Sequence, residues 1–228
     1  MEALTKKELL QLLKVTRAQS ERDWLMILVG FWHGLRASEI CAGWRVKPTR
    51  KKSEKAALRE ARTELEAAKS RNADTAAIQQ RIDALQQRHL CPGIRACDVK
   101  DNFLTVARAK GSLRTVQEIV KHRNPLLSER EALNKLAQEA YYSTAPLFPI
   151  RRQHFWRLFQ RYIKLAGIPE HKGFPHVLKH TTAMLMIEKA GIQKTRQRLG
   201  HKSIASTGAY LEERDANVDA VIVKAMRL

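Results

Sequence analysis

His176-Val177-Leu178-Lys179-His180-Thr181, then Leu199-Gly200-His201, then Tyr210 nine residues after that last histidine, make up the most chemically loaded part of the chain. Far upstream stands Gly34-Leu35-Arg36-Ala37-Ser38-Glu39-Ile40. A tyrosine preceded by Arg, Lys and His has the parts that phosphoryl transfer through a covalent tyrosine needs. The phenol oxygen attacks phosphorus, and cationic donors stabilise the charge on the other oxygens. A phenol has an ordinary pKa near 10, so it must shed its proton during attack, and an imidazole can exchange that proton. Singly, these residues say little. Gly-Leu-Arg is a common triplet, a lone histidine is more often structural, and Tyr141, Tyr142 or Tyr162 reads as a packed ring with a wet hydroxyl.

Around these runs the hydrophobic pattern is mostly helical. Thr5 with Glu8 three residues on is a capping box, and Leu9, Leu12, Leu13 and Thr16 continue one face. A second helix is predicted over about 20–34, with Trp24, Ile27, Leu28 and Phe31 at helical spacing, and a third over 38–44. From 45 to about 90 the character changes. After the basic run Lys47-Pro48-Thr49-Arg50-Lys51-Lys52, two stripes follow, Leu58, Ala61, Leu65 and Ala68, then Ile78, Ile82 and Leu85. They predict two antiparallel helices, a hairpin whose apolar faces are thin. Residues 101–117 turn to β character, with β-prone runs on either side of Ala109-Lys110-Gly111-Ser112, a hairpin signal. Helices are predicted again at about 128–141, 151–166, 177–190, 194–200 and 217–226. The fold class expected is mainly α with a small antiparallel β-sheet (α+β).

Charge points to the partner. Forty-two Lys and Arg against 23 Asp and Glu leave a formal net charge of +19, an excess that marks a polyanionic partner, nucleic acid first. Arg151, Arg152, Arg157, Arg161, Lys164, Lys194, Arg196 and Arg198 are collectively candidate phosphate contacts on a basic face. The longest apolar stretch, residues 24–32, is too short to span a bilayer, and no signal peptide is evident. Cys41, Cys91 and Cys97 form no CxxC pair, and His89 with Cys91 and Cys97 fits no usual zinc spacing. The sparse cysteines fit a reducing cytosol. No metal and no cofactor is expected.

The ordered set of motifs resembles the catalytic domain of the tyrosine recombinases, the phage integrase family. The resemblance implies roles residue by residue. Tyr210 stands at the family's distance from the Leu199-Gly200-His201 box and would be the nucleophile. Arg36 would hold a non-bridging oxygen of the scissile phosphate, since guanidinium matches phosphate bidentately and stays charged. His176 opens the family's histidine-x-x-arginine box and would exchange protons with Tyr210. Lys179 stands where the family usually has arginine; it keeps the charge and loses the planar fork. His201 would complete the cage around the phosphate. Lys110, in the hairpin turn where the family's mobile lysine lies, would protonate the 5′-oxygen leaving group, with Arg114 and Lys100 as nearby alternatives. Glu39 reads as a buttress for an arginine, and His180 as structural.

The resemblance also implies an activity: a site-specific recombinase or integrase that cleaves and rejoins DNA through a 3′-phosphotyrosine. It would work on double-stranded DNA as a tetramer, in the cytoplasm on the nucleoid. A type IB topoisomerase, a telomere-resolving enzyme and a catalytically impaired DNA-binding relative remain alternatives. Residues 1–228 are expected to form one catalytic domain with an inserted helical hairpin at 45–90. No room remains before Leu4 for the N-terminal core-binding domain that most members carry, so an excised domain and a naturally short enzyme, like the fimbrial phase-switch recombinases, both stand. The hairpin has two readings, a contact for an accessory protein or DNA and an insert that folds back on the domain.

Overall fold

A computed structural model of the chain describes residues 2–46, 52–71, 73–86, 88–91, 93–108, 112–203 and 205–208. They divide into two compact units, one of residues 1–42 and 92–228 and one of residues 43–91.

The larger unit is helical around one core. Helix α1 (Lys6–Gln19) starts on the predicted capping box: Glu8 donates its backbone N–H to Thr5 Oγ1 at 3.2 Å, and Thr5 returns its own to Glu8 Oε2 at 2.7 Å. Helix α2 (Glu21–Trp32), capped by Ser20, is buried over every residue from Asp23 to Phe31. A helix apolar on all sides belongs at the centre of a core. Helix α2 shares one core with Leu9, Leu12 and Leu13 of α1, Phe155, Phe159 and Ile163 of α7 (Arg152–Leu165), and Val177 and Leu178 of α8 (His176–Leu199).

Three short strands, β3 (Val99–Lys100), β4 (Phe103–Val106) and β5 (Thr115–Glu118), form an antiparallel sheet in sequential order. Asp101 and Asn102 take positive φ, 50° and 63°, in the two-residue turn between β3 and β4, where these residue types tolerate the left-handed region. Helix α6 (Arg130–Gln138) follows the sheet. Helix α8 covers both of the predicted segments 177–190 and 194–200. Between them Gly191 breaks it at φ 77° and ψ 170°, a conformation that suits glycine. The predicted helix at 217–226 lies outside the described residues.

The smaller unit holds α4 (Lys52–Ser70) and α5 (Ala76–Gln86), the predicted helical pair. Ala61, Leu65 and Ile82 are buried between them, with Leu58, Ile78 and Leu85 packed alongside. Arg81 and Glu64 pair across the two helices at 3.3 Å. The pair is closed at its base by a two-stranded antiparallel ribbon, β1 (Gly43–Val46) with β2 (Arg88–Cys91), in the register Gly43 to Cys91 and Val46 to Arg88. This corrects the reading of 38–44 as a helix. Helix α3 covers only Ala37–Ile40, and Trp44 belongs to β1. Among the described residues no helix is long and apolar enough to cross a membrane.

Candidate active site

The first arginine is set by a tight exit from α2. Gly34 takes φ 56°, and a Cβ there would lie 2.5 Å from Leu199 Cδ2, so the turn needs glycine. Leu35 plugs the core, and Arg36 leaves it extended at the start of α3. Glu39 then holds Arg36 twice, accepting its backbone N–H at 2.8 Å and its guanidinium at 3.0 Å. The Glu39 side chain is buried, while Arg36 remains 20% exposed. Glu39 also lies 3.6 Å from Arg108 Nη1, so the predicted buttress serves two arginines.

Arg108 was not legible as a site residue. Its buried guanidinium donates to the carbonyls of Gly34 (3.0 Å), His33 (2.9 Å) and Arg198 (2.7 Å) and to Thr115 Oγ1 (3.2 Å). It ties the end of α2, the sheet and the end of α8 into one frame. Burial lowers its pKa to about 10, with Glu39 opposing the shift and Arg198 and Arg36 adding to it. A second buried chain runs beside it. The His33 ring lies 2.9 Å from both Gln117 Oε1 and Glu129 Oε1, and Gln117 donates to the Arg198 carbonyl at 2.7 Å. Arg198 itself donates to the Trp32 carbonyl at 3.1 Å, and burial lowers its pKa. It is a packed tie between helices rather than the exposed phosphate contact expected from its neighbours.

Helix α8 carries the next residues on one face. His176 is its exposed first residue, and Lys179, one turn on, is only 1% exposed. The helix is pinned here by hydroxyls: Thr181 accepts the Leu4 backbone N–H at 2.9 Å, and Thr182 donates to the Phe31 carbonyl. Lys179 Nζ has no hydrogen-bond partner among the described residues. Burial pushes its pKa down to about 7; the charges of Arg36 and Arg108 push the same way, and Glu39 opposes them.

The end of α8 sets the histidine. Gly200 closes the helix at φ 68° and ψ 26°, and the following His201 N–H reaches back to the Arg196 carbonyl at 3.0 Å. A Cβ on Gly200 would lie 2.4 Å from the Leu113 carbonyl oxygen, while Leu113 N–H donates to Gly200 at 2.8 Å. Gly200 therefore docks against the β4–β5 connection as well as capping the helix. His201 is 6% exposed, with Nδ1 2.9 Å from Thr207 Oγ1. Burial, then the charges of Lys179, Arg36 and Arg108, hold its pKa down at about 4, so the ring is neutral at pH 7.

Arg36, Arg108 and Lys179 thus form one cluster of basic groups with Glu39 and the neutral His201. Arg36 and His176 also line one open groove of about 410 Å³. Lys110 and Tyr210 lie outside the described residues. Among the described residues no three His, Cys, Asp or Glu side chains come together as a metal site.

Comparisons with known proteins bear on the family and the fold. The model of the phage integrase family matches residues 93–217. The tyrosine recombinase XerD of Xanthomonas campestris pv. campestris is 36% identical over 88 residues, covering 38% of this chain and 27% of that protein. The chain therefore spans well under half the length of that relative. Among solved structures, XerA recombinase superposes with a TM-score of 0.59 at 17% identity, over 100% of this chain and 66% of that one. The catalytic core of lambda integrase superposes with a TM-score of 0.54 at 16% identity, over 88% of this chain and 92% of that one. The fold is that of tyrosine recombinase catalytic domains, and with more than half its length matched the chain belongs to the phage integrase family.

Proposed function

We propose that this protein is a site-specific DNA recombinase that breaks and rejoins strands through a 3′-phosphotyrosine on Tyr210. One observation carries the reading: Lys179, buried and with no hydrogen-bond partner for its Nζ among the described residues, lies within the electrostatic reach of Arg36, Arg108 and His201. A cluster in which Arg36, Arg108 and Lys179 have Glu39 as their nearby carboxylate, and the Lys179 ammonium makes no hydrogen bond among the described residues, suits a phosphate.

In this reading Arg36 and Lys179 hold the non-bridging oxygens, and His201 donates to them. Tyr210 Oη attacks phosphorus; the Tyr–O–P bond forms as the P–O5′ bond breaks. His176 takes the phenol proton, and Lys110 gives one to the departing 5′-oxygen. The phosphoester bond is exchanged rather than hydrolysed, so the reverse attack by a 5′-hydroxyl reseals the strand without a nucleotide cofactor. At neutral pH Lys179 is divided between amine and ammonium, and an arriving phosphate favours the charged form. Double-stranded DNA is the partner, drawn in by the +19 charge. Strand exchange needs four protomers on two duplexes; lambda integrase, of matching fold, is seen as a tetramer bound to a Holliday junction. Such an enzyme works in the cytoplasm, on nucleoid DNA.

The test is a nicked suicide duplex made from DNA flanking the gene, run beside a plasmid that carries two copies of that segment. The reading expects a detergent-stable, protease-sensitive adduct on the duplex and recombinant circles from the plasmid. Relaxed circles without recombinants would mean a topoisomerase, and tight binding without an adduct would mean an impaired relative.

A further inference from the structure

We propose that the groove between the N-terminal ends of α7 and α8 holds the sugar–base unit of the nucleotide beside the gripped phosphate, with Trp156 and Phe174 as its walls. The inference rests on the DNA reading above and adds a subsite to it.

Helix α7 buries its aromatic stripe, Phe155, Phe159 and Tyr162, in the core. Trp156 stands next to that stripe yet is 40% exposed, and Phe174, just before α8, is 44% exposed. Both line the 410 Å³ groove together with Arg36, Ser38, Arg152 and His176. Arg152 and Trp156 are one helical turn apart, so they share a side of α7. Two large rings left open to water in one place forgo the burial that a core would give them, and such patches rimmed by polar groups mark binding surfaces.

The rim identifies the occupant. Arg36, Arg152 and His176 complement phosphodiesters on either side of a nucleotide, and the volume falls in the range of small-ligand clefts, about 300–1,000 Å³. Cations alone serve the backbone of a closed duplex. Aromatic walls interleaved with cations suit a nucleotide whose base or sugar face is turned out, because every base offers a face for stacking. The groove therefore takes a nucleotide partly unstacked from its neighbour at the cleavage point.

The full chain labelled with 5-fluorotryptophan gives a ¹⁹F resonance for Trp156, assigned with Trp156→Phe. Thymidine 3′-monophosphate and the suicide duplex are each expected to shift that line, and inorganic phosphate alone is expected to leave it in place. The buried Trp24 line serves as the internal control. The exposed pair can be truncated together. The Trp156→Ala, Phe174→Ala double variant should bind the suicide duplex about 5–150-fold more weakly, the range for losing one stacked base. Its salt slope should match the wild type, whereas Arg152→Ala should lower that slope by about 1. Wild-type affinity in the double variant, or an unmoved Trp156 line in the bound state, overturns the proposal. So does a Trp156 line that moves with protein concentration in the absence of DNA, since a second copy of the chain would then cover the groove. The thymidine 3′-monophosphate titration is read without any cleavage, so it separates failure of the groove from failure of the recombinase reading.

Discussion

Replacing Lys179 by methionine should stabilise the protein while disabling it. The wild-type ammonium sits in a pocket that lowers its pKa from 10.5 to about 7. A tenfold change in a proton equilibrium is worth about 1.4 kcal/mol, so keeping Lys179 charged at pH 6 costs roughly 5 kcal/mol against a solvated lysine. Methionine fills similar space without the charge. Between about pH 7 and 10.5 the unfolded chain binds more protons at this residue than the folded one, so wild-type stability rises with pH there. The depressed His201, at about 4 rather than 6.5, adds a rise with pH between those values. Urea denaturation at pH 6, 7.5 and 9 is the assay. The advantage of Lys179→Met should approach roughly 5 kcal/mol at pH 6 and shrink to about 2 kcal/mol at pH 9. In single-turnover cleavage, Lys179→Ala should lose about 10²–10³ in rate, the scale for one lost oxyanion donor, and Lys179→Arg should retain activity. A Lys179→Met variant no more stable at pH 6, with a gap to wild type that ignores pH, would refute the argument.

Three further outcomes are expected. Gly200→Ala forces a side chain into the left-handed region and onto the Leu113 carbonyl; it should cost about 1–3 kcal/mol in denaturation and slow cleavage through the neighbouring His201. With about 6–10 phosphates neutralised, DNA affinity should fall by about 10³–10⁵ between 50 and 200 mM salt in fluorescence anisotropy, and a flat response would remove the electrostatic interface. Replacing residues 50–88 with a short Gly-Ser linker should leave the remaining fold and adduct formation intact, because that segment holds none of the candidate catalytic residues. Weakened assembly on DNA would mark the hairpin as a contact surface, whereas unchanged assembly and recombination would show that it has no such role.

What the sequence reveals tracks the range of the forces involved. The Thr5–Glu8 box, the stripes of α4 and α5 and the Gly191 break are local, and short-range spacing carries them. The β1–β2 ribbon escapes because Gly43 pairs with Cys91, beyond both intervening helices, and neither strand has a partner in its own neighbourhood. The motifs single out Arg36, His176, Lys179 and His201 as candidates, but the electrostatic state of such residues depends on packing. Lys179 reads as an ordinary cation in sequence and becomes a strained one only once α8 buries it beside Arg36 and Arg108. Arg108 is invisible for a related reason: besides Thr115 Oγ1 and the more distant Glu39, its acceptors are the backbone carbonyls of residues 33, 34 and 198. Backbone acceptors leave no residue-type signal. Arg198 misleads in the opposite direction, since its place in a basic run suggests solvent while the fold turns it inward.

The most direct test is to map the adduct. Wild-type protein would be trapped on the suicide duplex and digested, and the peptide bearing the nucleotide sequenced by mass spectrometry, beside Tyr210→Phe. The account expects a single phosphotyrosine at Tyr210, and a Tyr210→Phe protein that binds the duplex as wild type does and forms no adduct. An adduct on another residue, or one that survives Tyr210→Phe, would contradict it.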